Sequence, residues 1–290
     1  MIQTKDVGLV LEGGGFRGMF TAGILDSFLQ QQLYFDYVIG VSAGGAYGVS
    51  YVSRQIGRNL GVNEYVNNPY YCSWFYLLTT GDYFNLDFVY RELPDKLVPF
   101  DYESFTKSGT VMKVALTDCH SGEAAYKLVE GNSKKRFADL IAATSSLPFL
   151  ARPKLIDDHL YMDGGIADSI PVEQALRDGN KRLVVVLTRD LGYRKTQVKA
   201  GARLLLRSYY RRYPQLLKAM LARAEQYNKT LNLVEELEKS GQIFVIRPSA
   251  PLPVARMENK PAPLAKVYHL AMTQIESEMA RLQEWLKNNN

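Results

Sequence analysis

The stretch LVLEGGGFRGMF, residues 9–20, determines how the first part of this chain is interpreted. An apolar run over Val7–Leu11 ends at three glycines, which is typical of a strand buried on both faces and followed by a tight turn. Apolar residues at helical spacing over residues 19–32 predict a helix, and Tyr37–Val41 is a second apolar run. The chain therefore begins with a predicted strand–helix–strand unit.

Strand and helix patterns alternate along most of the remaining chain. Further strands are predicted over residues 111–117, 124–129, 154–162, 182–188 and 243–246. This alternation favours an α/β fold with a largely parallel central sheet and helices on both faces. We expect residues 1–190 to form this domain, and residues 191–290 to form a mainly helical C-terminal extension packed on the core.

Residues 66–100 interrupt the alternation and are rich in aromatic side chains. Such a composition is unusual for an ordinary exposed connection. Two interpretations remain open. The segment either lines or covers an apolar substrate pocket, as a wall or a lid, or it is a helical layer on the core.

The overall composition is that of an ordinary globular protein. Of the 290 residues, 47% are apolar and 22% are charged, which argues against a disordered chain. The first apolar run is too short for a signal peptide, and no stretch resembles a membrane span of about 20 apolar residues. The two cysteines, Cys72 and Cys119, lack metal-binding spacing. We therefore expect a cytoplasmic protein without a zinc site.

Positive charge is concentrated in one segment. Between Arg194 and Lys229 the chain holds ten lysines and arginines but a single acidic residue. A basic residue recurs every fourth position at 199, 203, 207 and 211, which predicts a helix over residues 199–213 with a basic face. It is either a solvated surface helix or one that contacts anionic lipid at the inner membrane surface. No recognised nucleic-acid-binding motif accompanies the charge.

The pentapeptide Gly40-Val41-Ser42-Ala43-Gly44 lies between the second predicted strand and the next predicted helix. A G-x-S-x-G pattern in this context is the signature of a nucleophile elbow. The turn presents the serine hydroxyl above the sheet, and Gly40 and Gly44 let strand and helix approach each other. The N-terminal end of the helix favours negative charge at this point. The pattern predicts that Ser42 is a nucleophile.

The glycine loop, Gly13-Gly14-Gly15-Phe16-Arg17-Gly18, fits two unrelated functions, which are binding of a nucleotide phosphate and stabilisation of an oxyanion. A dinucleotide site would require an acidic residue at the end of the second strand, where this chain has Ser42, and a P-loop would require Gly-Lys-Ser/Thr. A serine nucleophile instead needs backbone N–H groups that stabilise an oxyanion. We predict that Gly14 and Gly15 are these donors. Arg17 is expected to reinforce the loop or contact an anionic headgroup, and Gly18 to allow close helix packing.

A serine nucleophile also requires a proton acceptor. The three histidines, His120, His159 and His269, lie in a predicted turn, a strand and the terminal helix, where surface or structural roles are common. Asp163 ends a predicted strand before two glycines, where α/β folds present functional groups. An aspartate is a weak base that would need a direct hydrogen bond to Ser42 and partial desolvation. The residues alone leave His159, Asp163 and a purely structural Asp163 as alternatives.

The glycine loop, the G-x-S-x-G elbow and Asp163-Gly164-Gly165, in this order, resemble the motifs of the patatin-like phospholipase family. The resemblance covers roughly residues 5–190 and implies a three-layer α/β sandwich. It also implies a Ser-Asp dyad without histidine, in which Ser42 is the nucleophile and Asp163 the proton acceptor, with the glycine loop as oxyanion hole. Hydrolysis of lipid acyl esters through an acyl-enzyme, without metal or organic cofactor, is expected. Ser169 stands where family members often carry asparagine.

Two other functions remain as alternatives to a lipid acyl hydrolase. A catalytically silent protein could keep this fold and bind membranes through the basic helix 199–213. A nucleotide-binding oxidoreductase is the third candidate and predicts saturable cofactor binding. The expected partners are a lipid or other acyl-ester substrate and, at the periphery, an anionic membrane, but no nucleic acid.

Overall fold

The protein is built around a mixed sheet, in which eight strands are seen in a computed structural model that describes residues 4–288. Residues 1–3 and 289–290, the outer ends of the two expected segments, lie outside the described residues. The strands are β1 (Val7–Leu11), β2 (Tyr37–Val41), β3 (Val111–Asp118), β4 (Ala124–Leu128), β5 (Lys154–Ile156), β6 (His159–Asp163), β7 (Arg182–Val186) and β8 (Ile243–Ile246). Hydrogen-bonded neighbours follow the path β5-β6-β3-β2-β1-β7-β8, and β4 also pairs with β3. Five neighbouring strands, β3, β2, β1, β7 and β8, are mutually parallel, as predicted.

Helices cover both faces of this sheet. The α-helices are α1 (Met19–Gln30), α2 (Ala43–Val52), α3 (Arg58–Asn63), α4 (Trp74–Thr80), α5 (Tyr102–Lys107), α6 (Lys134–Thr144), α7 (Val172–Arg177), α8 (Ala200–Tyr209), α9 (Pro214–Lys239) and α10 (Pro261–Lys287). A π-helix covers Phe88–Leu97, and short 3-10 helices cover Gly15–Gly18 and Gly164–Ile166. Alternate residues of β7 enter two cores: Val184 belongs to the core that also contains residues of α1, α6 and α10, and Val185 to the core that contains residues of α7 and α9. Burial on both faces explains why the strand is continuously apolar. The predicted α/β class is confirmed.

The prediction of one strand over residues 154–162 is wrong, because the chain forms a hairpin there. β5 and β6 pair antiparallel around Asp157 and Asp158, whose φ angles are 49° and 63°. Aspartate tolerates this left-handed region better than most residues, because its short side chain can bond locally. The hairpin reverses the direction of the strand that ends at Asp163.

The direction of β6 brings the two predicted catalytic strands together. Leu116 and Thr117 of β3 pair with β4 as well as with β6, so these two strands lie on opposite sides of β3. β2 also lies opposite β4, because both pair with Val114 and Ala115. β2 and β6 therefore approach each other end to end along one side of β3. β2 stops opposite Ala115 and β6 stops at Asp163, opposite Leu116.

Residues 191–290 contribute to the central sheet as well as to the helical layers. β8 pairs parallel with β7 at the sheet edge. Helix α10 packs against α1 so closely that a Cβ built at Gly23 would lie 2.3 Å from the Tyr268 carbonyl oxygen. The Tyr268 hydroxyl donates to the buried Asp26 carboxylate at 2.6 Å, and burial raises the pKa of this carboxyl group. The C-terminal residues are thus integral to the fold.

The basic helix is shorter than the predicted span of residues 199–213. α8 ends at Tyr209, and a new helix begins at Pro214. Proline disfavours helical conformation in the residue before it, so the first helix must stop upstream. Arg203 and Arg207 lie on α8, whereas Arg211 lies in the turn before α9. Within residues 4–288, no helix combines the length and apolarity needed to cross a bilayer.

Candidate active site

Ser42 occupies a strained turn between β2 and α2. Its φ and ψ angles are 53° and −122°, a conformation that costs a non-glycine residue about 1–3 kcal/mol. Its backbone N–H donates to the Thr144 hydroxyl at 2.9 Å, and its carbonyl accepts from Ala46 N at 3.0 Å. The side chain is 6% exposed. These bonds hold the strained residue in place, with its hydroxyl at the N-terminus of α2.

Glycine is required on both sides of Ser42 because backbone atoms approach closely there. A Cβ built at Gly40 would lie 2.5 Å from Gly45 N, and one at Gly44 would lie 2.5 Å from the Leu11 carbonyl oxygen. Real Cβ atoms essentially never come this close to backbone. The glycines of the pentapeptide therefore allow α2 to pack directly on β1 and β2.

Asp163 presents a buried carboxylate at the end of β6. Its side chain is 1% exposed, and Oδ1 accepts from Gly165 N at 2.8 Å. Oδ2 is buried and has no hydrogen-bond partner within residues 4–288. Ser42 thus makes no hydrogen bond to this oxygen, although β2 and β6 end at adjacent register positions. Catalytic hydrogen bonds in ligand-free enzymes are often long, so the geometry leaves Oδ2 available as a proton acceptor.

Gly164 and Gly165 shape the turn that follows Asp163. A Cβ at Gly164 would lie 2.1 Å from the Ala115 carbonyl oxygen, so only glycine lets the turn pass against β3. The carbonyl of Asp163 accepts from the Thr117 hydroxyl at 2.9 Å, and its N–H donates to Ser146 O at 2.9 Å. The backbone of Asp163 is therefore held from both sides.

Ser169 joins the Asp163 turn to the glycine loop. Its hydroxyl donates to Gly165 O at 2.9 Å, and its carbonyl accepts from Gly13 N at 3.3 Å. A serine thus supplies local support at the position where the family often has asparagine. Movement of either loop would disturb both bonds.

The glycine loop presents two unused donors beside Ser42. Gly14 and Gly15 donate no hydrogen bond through their backbone N–H groups to any acceptor in residues 4–288. Gly15 has a φ of 57°, and a Cβ there would lie 2.5 Å from the Arg256 carbonyl oxygen. Gly15 and Ser42 line the same cavity. The loop can therefore offer N–H groups to an oxygen bound near Ser42.

Gly18 and Arg17 complete the loop in different ways. A Cβ at Gly18 would lie 2.7 Å from the Tyr47 ring and 2.9 Å from Ala43 Cβ, so the loop packs tightly on α2. Arg17 is half-buried, and its Nε is buried without a partner in the described chain. Burial, reinforced by Arg189 and Arg256, lowers the pKa of Arg17 to about 10. Arg17 thus stays charged at neutral pH in a positive environment.

The histidines are distant from this arrangement. His159 is exposed at the start of β6 and bonds to Asp118 at 3.1 Å. His120 is exposed in the turn between β3 and β4, and His269 is exposed on α10. None of the three lines the cavity that contains Ser42. The geometry therefore favours Asp163 over His159 as the group near Ser42.

An apolar cavity opens beside Ser42. Counted out to its open mouth, with the solvent space there included, it has an empty volume of about 1010 Å³. The segment 66–100 supplies a large part of its wall through Tyr71, Phe84, Val89, Tyr90, Leu93, Pro94 and Phe100. Burial raises the pKa of Tyr71 and Tyr90, so their hydroxyl groups remain protonated. Aromatic and aliphatic side chains thus dominate the wall.

Sequence reasoning missed Glu12, which precedes the glycine loop and is buried. Its Oε2 accepts from Thr188 N at 2.6 Å and from Thr188 Oγ1 at 3.0 Å, and its Oε1 accepts from Tyr227 OH at 2.6 Å. These bonds link the loop to β7 and α9. The sequence did contain a signal for this residue, namely an acidic side chain between a buried apolar strand and three glycines. A charge at such a position needs hydrogen-bond partners from elsewhere in the chain.

The fold and site define an α/β protein with a serine elbow next to a glycine loop. A family model described as patatin-like phospholipase matches residues 9–176, more than half of the chain. The chain belongs to the patatin-like phospholipase family. A second model, a domain of unknown function (DUF6363), matches residues 213–287 and so covers α9, β8 and α10.

Individual relatives match over parts of their lengths. YjjU of Escherichia coli, itself described as uncharacterized, is 31% identical over 195 residues, which are 64% of this chain and 53% of YjjU. Lysophospholipase NTE1 of Kluyveromyces lactis is 26% identical over 203 residues, 66% of this chain and 13% of NTE1. VipD from Legionella pneumophila aligns structurally with a TM-score of 0.40 and 13% identity, over 92% of this chain and 66% of VipD. The chain thus spans about half of YjjU and a small part of NTE1.

Proposed function

We propose that this protein is a serine acyl hydrolase that cleaves the carboxylic ester bonds of lipids. One arrangement carries the proposal: Ser42 lies in a strained elbow between a buried, unpartnered carboxylate oxygen of Asp163 and the unused N–H groups of Gly14 and Gly15. These are the nucleophile, base and oxyanion donors that acyl transfer requires. Membership of a phospholipase family supports this reaction class, and so does the relative named lysophospholipase.

The first half of the reaction forms an acyl-enzyme. Asp163 Oδ2 accepts the proton of the Ser42 hydroxyl as Oγ attacks the ester carbonyl carbon. The carbonyl oxygen gains negative charge, and the N–H groups of Gly14 and Gly15 stabilise it. The tetrahedral intermediate collapses, the bond to the alcohol oxygen breaks, and Asp163 returns its proton to the departing alcohol. The acyl group remains esterified to Ser42.

The second half of the reaction restores the free enzyme. Asp163 accepts a proton from a water molecule, whose oxygen attacks the acyl carbonyl carbon. The same two N–H groups hold the second oxyanion. Collapse releases the fatty acid, and the proton on Asp163 returns to Ser42. A single carboxylate therefore serves as base and acid in turn.

The apolar cavity suits the acyl chain of the substrate. It begins at Ser42, Ala43 and Gly15, so an ester held at the elbow would extend its chain along the aromatic wall. Each buried methylene group stabilises the complex by about 0.8 kcal/mol. Residues 66–100 then act as a pocket wall. Membership of the patatin-like phospholipase family argues against the nucleotide-binding oxidoreductase.

A covalent probe tests the proposed nucleophile directly. A fluorophosphonate should label the folded protein with one equivalent, and mass spectrometry should locate the label on Ser42, because only an activated serine attacks phosphorus rapidly. Heat-denatured protein is the control and should remain unlabelled. Folded protein that stays unlabelled would favour a catalytically silent protein, and labelling at another serine would move the site.

We also propose peripheral contact with anionic membranes through α8. Leu204 and Leu205 are 70% and 64% exposed, and Arg203 and Arg207 lie on the same short helix. Exposed leucines next to cations are typical of helices that lie in the membrane interface. Each cation near an anionic surface contributes about 1 kcal/mol.

Co-sedimentation with vesicles tests this contact. Binding to phosphatidylserine-containing vesicles should weaken as salt concentration rises. The double variant Arg203→Gln/Arg207→Gln should bind about tenfold or more weakly, because two cations of about 1 kcal/mol each are removed. Lys229→Gln, an exposed change on α9, is the matched control. Equal binding to neutral and anionic vesicles would contradict the proposal.

A further inference from the structure

Five half-buried cations lie near the glycine loop, and the proposed reaction gives none of them a role. Here they are called the basic cluster, which consists of Arg17, Arg189, Lys195, Arg223 and Arg256. They come from the glycine loop, the segment after β7, α9 and the segment before α10. All except Arg17 lie outside residues 9–176, the region that matches the family model.

Contacts of the cluster place it against both catalytic loops. The carbonyl of Arg256 accepts from Phe16 N at 3.1 Å, and Arg256 lines the cavity together with Ser42 and Gly15. Arg223 Nη2 lies 3.2 Å from the position of a Cβ built at Gly165, next to the Asp163 carboxylate. Arg256 and Arg223 also line a second cavity, together with Met220 and Met257. The cluster thus lies within a short distance of Ser42.

The cations of the cluster form no ion pairs in the described part of the chain, although the carboxylates of Glu12 and Asp163 lie near enough to attract some of them. Within residues 4–288, none of the five forms an ion pair with a carboxylate. Glu12 attracts Arg17, Lys195 and Arg223 electrostatically. Its hydrogen bonds, however, are accepted from Thr188 and Tyr227. Arg17 and Arg223 each have a buried Nε without a hydrogen-bond partner among the described residues. Buried polar groups are normally satisfied, so these donors indicate a missing acceptor.

Mutual repulsion supports the same conclusion. Burial, together with Arg223, lowers the pKa of the Lys195 ammonium group to about 7, and Glu12 opposes this only in part. Burial and Arg256 also lower the pKa of Arg223. Like charges held together in a partly desolvated site are costly unless an anion compensates them. Two of the cations are stabilised by aromatic rings: Lys195 lies 4.3 Å from the centre of the Tyr227 ring, and Arg189 lies 4.2 Å from that of Tyr193.

We propose that the basic cluster binds a phosphate group, and that the C-terminal residues 189–256 supply most of this site. Several guanidinium groups around one point match the tetrahedral oxygens of phosphate, which accept bidentate hydrogen bonds. Bound there, the phosphate would satisfy the free Nε donors and offset the repulsion. In this proposal the phosphate is that of a phospholipid whose ester bond lies at Ser42. The assignment to a phospholipid rests on the proposed function.

Two measurements test the site, one of binding and one of hydrolysis. Titration calorimetry with inorganic phosphate should give saturable binding to the wild-type protein, at least about tenfold weaker in Arg223→Gln and Lys195→Gln. The second measurement is the ratio of kcat/KM for a lysophosphatidic acid to kcat/KM for a monoacylglycerol with the same acyl chain. The ratio should fall about tenfold or more in both variants. A ratio cancels any effect shared by both substrates.

Controls separate binding from folding. Lys229→Gln lies on the same helix as Arg223, is exposed, and should change neither measurement. Arg223→Lys keeps the charge and should recover part of the phosphate affinity that Arg223→Gln loses. Thermal melting shows whether each variant is folded. An equal loss of phosphate binding in Lys229→Gln would contradict a specific site.

The outcomes distinguish the source of the phosphate and the failure of each proposal. Phosphate binding together with a falling lipid ratio supports a headgroup site, whereas phosphate binding with an unchanged ratio supports a site for free phosphate. Phosphate binding without hydrolysis of either lipid would preserve the site and remove the proposed function. Hydrolysis with equal kcat/KM for both lipids and no phosphate binding would overturn the site and leave the function intact.

Discussion

Replacing Ser42 by alanine should lower kcat for acyl-ester hydrolysis by about 10⁴-fold or more. The variant loses the oxygen that forms the acyl-enzyme, so only binding and oxyanion stabilisation remain. Stability should change little, because the bonds that hold Ser42 in its turn use its backbone N–H and carbonyl rather than its hydroxyl. Initial rates on short-chain nitrophenyl esters and on a lysophospholipid measure the effect.

The measurement needs a control substitution at another serine and a check for contaminating esterase. Ser249→Ala is a suitable control, because Ser249 is exposed and lies outside the cavity that contains Ser42. Its activity should remain within about twofold of wild type, as for most surface substitutions. Active-site titration counts the competent sites of the wild-type and Ser249→Ala preparations, whereas rates of Ser42→Ala are expressed per mole of folded protein. If Ser42→Ala hydrolyses esters as fast as wild type per mole of folded protein, Ser42 is not the nucleophile.

The second large effect is expected for Asp163→Asn, which should lower kcat by about 10³- to 10⁴-fold. An amide cannot accept the proton of the Ser42 hydroxyl. The fold should persist, because the asparagine carbonyl oxygen can still accept from Gly165 N as Oδ1 does. The backbone bonds to Ser146 and Thr117 also remain. Circular dichroism and thermal melting verify that the protein is folded.

The same substitution elsewhere in the hairpin is the control. Asp157→Asn lies in the turn between β5 and β6, where asparagine tolerates the positive φ and only the ion pairs with Arg136 and Lys127 are lost. Its kcat should stay within about twofold of wild type, since exposed ion pairs contribute little. Comparable losses in Asp157→Asn and Asp163→Asn would indicate a folding effect and contradict a catalytic role.

A double variant tests whether the two residues act as one unit. If Asp163 only activates Ser42, removing it from a protein that already lacks Ser42 should change nothing further. Ser42→Ala/Asp163→Asn should therefore be about as slow as the slower single variant. Losses that multiply would show that the residues contribute independently.

Local patterns predicted the elements that carry the site, but they misjudged one strand direction. The Val7–Leu11 and Tyr37–Val41 strands were predicted with the bounds that the structure has. Asp163 was selected because it ended a predicted strand, yet that strand is the second half of a hairpin and runs antiparallel to β3. Strand direction depends on pairing with residues far away in the sequence, and hydrophobic periodicity carries no information about these partners.

The longest helices show the same limitation. α9 covers Pro214–Lys239, and its Arg223 and Tyr227 reach the glycine loop region near Glu12. Proline at its first position and alternating charge give a helix signal, but nothing in that pattern indicates the partner of its buried face. The predicted helix over residues 199–213 extended past the end of α8 into the turn before α9, because the break before Pro214 was not recognised.

The sequence by itself determined the elbow and the glycine loop. Backbone sterics act within a few residues, so the need for glycine around Ser42 and in the loop is visible in the pattern of small residues. Only the tertiary structure decided that β6 ends beside β2 and that Arg17 and Arg223 both lie near Arg256. Those arrangements join segments about 120 or 200 residues apart. Such contacts depend on chain topology and long-range packing, which no local pattern encodes.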